Sequence, residues 1–210
     1  MNSNRFISKK RRQGGYTIVE LGIALTIIAV LIIAGLSGVS AVLDSTKAND
    51  QIASGGQTIA KLQNKVSTSA TLQNLTTQEA IGLSLFPNSR VNAARTAVTG
   101  VFSGGSEFIT TNPAAIAGLG ADIPANRAGM YVIHNIPRAV CSDVALALAP
   151  LADSAWVIAT PNPQVQIQTI PAVTRAAGII KTNGGVVSAV EVSTSCAANA
   201  LSSLQLVIRP

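Results

Sequence analysis

The sequence predicts an α+β chain in which a long amino-terminal helix packs, through its second half, on an antiparallel sheet. Three observations predict this. Residues Leu21 to Leu43 run for 23 positions without a charge or a proline. Beyond them, Ile52, Ile59, Leu62 and Val66 fall at spacings of seven, three and four, the stripe of a half-buried helix. The last third then breaks into short β-branched or alternating runs separated by Pro, Gly or Asn. A chain of 210 residues has room for one main domain and an accessory segment. Only 11% of its residues are charged, so repulsion between charges does not keep it unfolded.

The first element is a basic leader, residues 1–15. It holds five of the fifteen cations (Arg5, Lys9, Lys10, Arg11 and Arg12) and no acid. From Tyr16 onward ten cations meet nine acids, so the formal charge of +6 falls to +1 once the leader is set aside. A phosphate-binding surface needs clustered Lys and Arg, usually beside stacking aromatics, and aromatics are 3% of this chain. No specific nucleic-acid partner is expected.

A secretory signal places its small-residue cleavage site after the apolar stretch. Here Gly14-Gly15 comes before it, so a cut after Gly15 discards the charges and keeps the helix. Residues 16–43 form that hydrophobic helix. Its uncharged part rises about 35 Å at ~1.5 Å per residue, against a hydrocarbon core of about 30 Å. It is long enough to span a membrane, with the positive leader on the cytoplasmic side and the rest beyond.

Residues 44–66 continue as an amphipathic helix, which Gly55-Gly56 is expected to interrupt. Residues 67–210 form the head. From Ser67 to Gly129 it reads as loops with short helices, Thr76 to Leu83 and Pro113 to Leu119. Expected strands are Met130 to Ile136, Trp156 to Thr160, Val165 to Ile170, Val186 to Val192 and Leu204 to Ile208. Pro137 to Leu148 reads as a helix with proline near its start.

The order Gly15-Tyr16-Thr17-Ile18-Val19-Glu20-Leu21, after a short basic leader and before a long apolar helix, resembles the processing site of type IV prepilins. The resemblance implies cleavage after Gly15 by a membrane aspartyl peptidase, methylation of the new amino terminus at Tyr16, and assembly into a filament. It also implies the type IV pilin fold. Glu20 matches the family's glutamate five positions into the mature chain. Burying an isolated carboxylate in an apolar bundle costs several kcal/mol, and no cation follows until Lys47. The nearby positive group is the amine that cleavage creates at Tyr16, its own or a neighbouring subunit's, and pairing between subunits would set axial register. The alternative is that Glu20 only favours the positive end of its own helix, worth about 0.3–1 kcal/mol. Gly22, Ala29, Ala34, Gly35, Ser37, Gly38 and Ser40 are small residues that let helices approach closely. Many pilins carry a proline in this region, and this chain has none.

Cys141 and Cys196 would face an oxidising compartment on this orientation. A bridge closing a loop of about 55 residues stabilises by roughly 4 kcal/mol on the chain-entropy model; two free thiols are the alternative. The resemblance favours the bridge, because type IV pilins commonly close a carboxy-terminal loop this way. It would pin the helix near Cys141 to the end of the sheet. The wide cysteine spacing and the stretch "MYVIHNIPRAVC" resemble the b class, which includes the toxin-coregulated, bundle-forming and conjugative thin-pilus pilins.

No enzyme is expected. The single histidine, His134, lies inside a strand, and no clustered metal-ligand set exists, so neither metal nor cofactor is implied. "GLGAD" at Gly118 lacks a preceding strand and the full glycine pattern of a phosphate loop, and Asp143 and Asp153 have no visible partner. The expected role is a major pilin of a surface filament used in adhesion, aggregation or mating-pair contact. It would sit first in the inner membrane with a periplasmic head, then in an extracellular pilus. Its partners would be identical subunits, the prepilin peptidase and the inner-membrane assembly machinery. A minor pilin or type II secretion pseudopilin is the first alternative, though the head is large for a pseudopilin and the calcium-site acids of that group are not evident. A membrane-anchored periplasmic binding domain is the second. Specificity is expected on exposed loops around Ser84 to Glu107.

Overall fold

The computed structural model describes residues 17–68, 75–111, 127–160, 178–182 and 184–209. Gly15, Tyr16, the expected helix Pro113 to Leu119, Gly118 and the expected strand Val165 to Ile170 lie outside them. The chain divides into two compact units between Val42 and Leu43. One helix, α1 (Ile18–Thr68), runs through that boundary.

In the first unit α1 is apolar all round, the pattern of a helix meant for lipid or for other helices. Its large side chains from Ile18 to Val42 are exposed wherever they are described. An 18-residue window reaches a mean hydropathy of 2.6, and none of it is buried.

In the second unit α1 buries Ala48, Gln51, Gly55, Thr58, Ile59, Leu62 and Val66, positions three or four apart that share one face. Ile52 is half-buried at its margin. Gly55-Gly56 does not interrupt the helix. A Cβ at Gly55 would lie 3.0 Å from Leu148 Cδ1, so the glycine lets that leucine seat against the backbone. The burial gained there outweighs a helix-propensity cost of about 1 kcal/mol.

The sheet has six strands in the described residues: β1 (Val98–Thr99), β2 (Ser106–Thr111), β3 (Gly129–Pro137), β4 (Ser154–Ala159), β5 (Ile179–Lys181) and β6 (Leu201–Ile208). Their order is β1-β2-β3-β6-β4-β5, and every neighbouring pair is antiparallel. The last strand in sequence is therefore central. Because β3 and β4 both run antiparallel to β6, they run the same way as each other, and joining them requires a crossover. Helix α3 (Arg138–Leu148), entered through Pro137, supplies it.

One face of the sheet, with Tyr131, Ile133, Leu204, Leu206 and Ile208, packs with Ile59, Leu62 and Val66 of α1. A smaller cluster of Met130, Trp156 and Val207 occupies the opposite face, where the Trp156 indole N–H donates to Gln205 Oε1.

Two expectations for the head require correction. The run Val186 to Val192 is not a strand; Ala189–Ala198 form a helix, α4. Ser188 Oγ accepts the Glu191 N–H at 3.3 Å, and this N-cap starts the helix despite the valines. The stretch from Ser67 to Gly129, read as loops and short helices, also contains β1 and β2. The expected helix Thr76 to Leu83 is α2 (Thr77–Gly82), begun by a reciprocal capping box between Thr76 and Glu79.

Candidate functional site

The candidate site is the start of α1. Thr17 caps the helix: its Oγ1 accepts the Glu20 N–H at 3.3 Å, and its carbonyl accepts the Leu21 N–H at 3.1 Å. Glu20 is thus the third residue of the helix, in the first turn, where the unpaired N–H groups favour a negative charge. Its side chain is exposed, and the first unit surrounds it with exposed Ile18, Val19, Leu21 and Ile23. At Gly22, Gly35 and Gly38 an added Cβ would meet nothing within 4 Å, so each leaves a notch on the helix surface.

The cysteine pair lies in the second unit. Cys141 in α3 and Cys196 in α4 are joined by a disulfide, with Cα atoms 5.7 Å apart, and both are buried. The bond ties helix to helix. It does not tie a helix to the sheet end, because the segment expected as a strand before Cys196 folds as α4.

A buried polar network between α1 and the sheet has no counterpart in the sequence pattern. Glu107 on β2 is fully buried, with Oε1 2.7 Å from Arg90 Nη1. Its Oε2 accepts the Tyr131 hydroxyl at 2.6 Å. Tyr131 accepts in turn from Gln51 Nε2 at 3.4 Å, and Arg90 Nη2 donates to the Asp50 carbonyl of α1 at 3.3 Å. Burial, reinforced by the Glu107 carboxylate, pushes the Tyr131 hydroxyl well above its usual pKa. Glu107 thus belongs to the interior rather than to an exposed loop.

His134 is a buried residue of β3, its ring 5.0 Å from that of Phe108, and burial lowers its pKa to about 4. Asp153 accepts the Arg209 backbone N–H at 2.7 Å, and Asp143 is exposed on α3. A groove of about 460 Å³ opens between the start of α2 and the β2 edge, lined by Thr76, Thr77, Gln78, Thr96, Ser106 and Thr110 among others. Among the described residues no three His, Cys, Asp or Glu side chains come together as a metal site would require.

No family model and no curated protein matches the chain. Among solved structures it is similar to the crystal structure of TcpA, a type IV pilin from Vibrio cholerae El Tor biotype. The match has 16% identity and a TM-score of 0.45, over 75% of this chain and 98% of that one.

Proposed function

We propose that this chain is a prepilin whose mature form is the major subunit of a type IV surface filament. The observation that carries the reading is the start of α1. A helix apolar on every side bears one carboxylate in its first turn, directly after a basic leader that ends in Gly15. Such a helix is stable in lipid, and equally so among copies of itself, where side-chain packing replaces lipid contact. The leader stays cytoplasmic, the head lies beyond the inner membrane, and the peptidase cuts after Gly15. The Tyr16 amine, methylated and still protonated, then meets Glu20 of a neighbouring subunit. The pairing offsets a desolvation cost of several kcal/mol that a lone carboxylate would carry in the bundle. The assembled filament serves adhesion, aggregation or mating-pair contact through the exposed surface of the head.

The test is to shear whole cells and measure the intact mass of the protein in the sheared and membrane fractions. An abundant sheared species that begins at methylated Tyr16 and is two hydrogens light for the disulfide is expected. The same processed mass confined to the membrane would indicate a minor pilin or pseudopilin, and an uncut chain would overturn the reading.

A further inference from the structure

The groove between the start of α2 and the edge of β2 plays no part in the assembly reading. Its volume of about 460 Å³ falls within the range of about 300–1,000 Å³ usual for small-molecule pockets. Thr76, Thr77 and Gln78 line it from the start of α2, Thr96 from the turn before β1, and Ser106 and Thr110 from β2. All six side chains are neutral, and each carries a hydroxyl or an amide. Three of the hydroxyls have their protons committed within the chain. Thr76 donates to Glu79 Oε2 at 3.3 Å, Thr77 to the Ile109 carbonyl at 3.3 Å, and Thr110 to the Thr111 carbonyl at 3.1 Å. A hydroxyl has one proton and two lone pairs, so each of the three still accepts; Ser106 and Gln78 add groups that donate as well as accept.

This lining discriminates among ligands. A charged molecule finds no counter-charge in it: Glu107 is the ionisable residue among the described lining, and its carboxylate is turned inward to Arg90 and Tyr131. An extended peptide adding itself to β2 would need a run of free backbone groups along the edge. That edge is taken. Glu107 pairs with Val98 of β1, the Ile109 carbonyl accepts from Thr77, and the Thr111 N–H donates to the Leu75 carbonyl. A wholly apolar molecule would strip water from the hydroxyls without replacing its hydrogen bonds. A neutral sugar meets each condition. Its hydroxyls donate to the committed threonines and exchange bonds with Ser106 and Gln78, while its C–H face rests against the apolar lining at Ala97 and Phe108.

We propose that the groove between α2 and β2 is a binding site for a neutral pyranose saccharide. The site stands whether or not the chain forms a filament, and it is tested on the unassembled protein.

The full-length chain, labelled with carbon-13 at its threonine methyls and held in a phosphocholine detergent so that no sugar headgroup competes, would be titrated with lactose, maltose and N,N′-diacetylchitobiose. At least one of these disaccharides should shift the methyl signals of Thr76, Thr77, Thr96 and Thr110 saturably, with a dissociation constant of about 1 mM or tighter. The exposed Thr46 and Thr194, which lie outside the groove lining, should not move. The variant Gln78→Ala, Ser106→Ala should weaken binding about tenfold, by loss of two hydrogen-bonding partners, with the thermal midpoint kept. If that variant fails to fold, Gln78→Ala alone decides, since Gln78 is exposed. No saturable shift with any of the three sugars, shifts spread equally to Thr46 and Thr194, or undiminished binding in the variant would each overturn the proposal.

Discussion

Two glutamates in this chain sit in apolar surroundings, and the two regions treat them in opposite ways. Glu107 is enclosed in the head with both oxygens satisfied by Arg90 and Tyr131. Glu20 stands exposed on a helix whose every face is apolar. Glu107 finds both partners within its own unit. The first unit leaves its apolar surface exposed, and among the described residues nothing pairs with its carboxylate. The difference indicates where this protein keeps its stability and, under the proposed function, where assembly would act.

The largest expected effect breaks the comparison at Glu20. Glu20→Ala should leave membrane insertion intact yet lower the amount of sheared filament by at least tenfold. Normal filaments from this variant would remove the charge pair from the account, and Glu20→Gln separates charge from shape. Next is the covalent tie of the head. Cys196→Ser should lower stability by about 4 kcal/mol on the loop-entropy model, read as the shift of a urea midpoint, with the reduced parent protein behaving alike.

Glu107→Ala should cost about 3 kcal/mol, because Tyr131 and a largely buried Arg90 lose their common partner. A cost near that of an exposed pair, at most about 1 kcal/mol, would show that the enclosed glutamate resembles the exposed one after all. His134 predicts a pH dependence. With its pKa lowered to about 4 in the folded head against about 6.5 unfolded, its contribution is full above the unfolded value. It is lost progressively as pH falls from about 6.5 toward 4, because the unfolded chain binds the proton first. Thermal midpoints measured across that window should fall more steeply in the parent than in His134→Phe. The smallest effect sharpens the α1 description. Gly56→Ala should raise stability by roughly 0.5–1 kcal/mol, since its Cβ would meet only Leu151 Cδ1 at 3.9 Å.

Part of the head was legible and part was not, for local reasons. The alternation in Met130 to Ile136 and the β-branched runs at Trp156 and Leu204 led directly to β3, β4 and β6. The run at Val186 misled because β-branched residues outweighed a cap signal in the same stretch. Ser188-x-x-Glu191 repeats the pattern of Thr76-x-x-Glu79 and Thr17-x-x-Glu20, and in all three the hydroxyl accepts the glutamate N–H at 3.3 Å. Reading that pattern would have found α4. It also gives Glu20 a second role, as the third residue of a capped helix, alongside any role in assembly. Strand β2 was missed although Phe108 to Thr111 follow Gly104-Gly105 as a turn and strand would.

The sequence by itself determined the features that depend on period and local charge. These are the apolar run of α1, its stripe from Ile59 to Val66, the helix after Pro137 and the basic stretch with Gly14-Gly15 that precedes the apolar run. Only the tertiary structure decided what depends on partners distant in the chain. It placed the last strand between β3 and β4, seated Leu148 against Gly55, joined Cys141 to Cys196 across two helices, and brought Arg90, Glu107 and Tyr131 together beneath Gln51. The physical reason is that periodicity shows which face of an element is buried. It is the packing of several elements at once that decides against which residues.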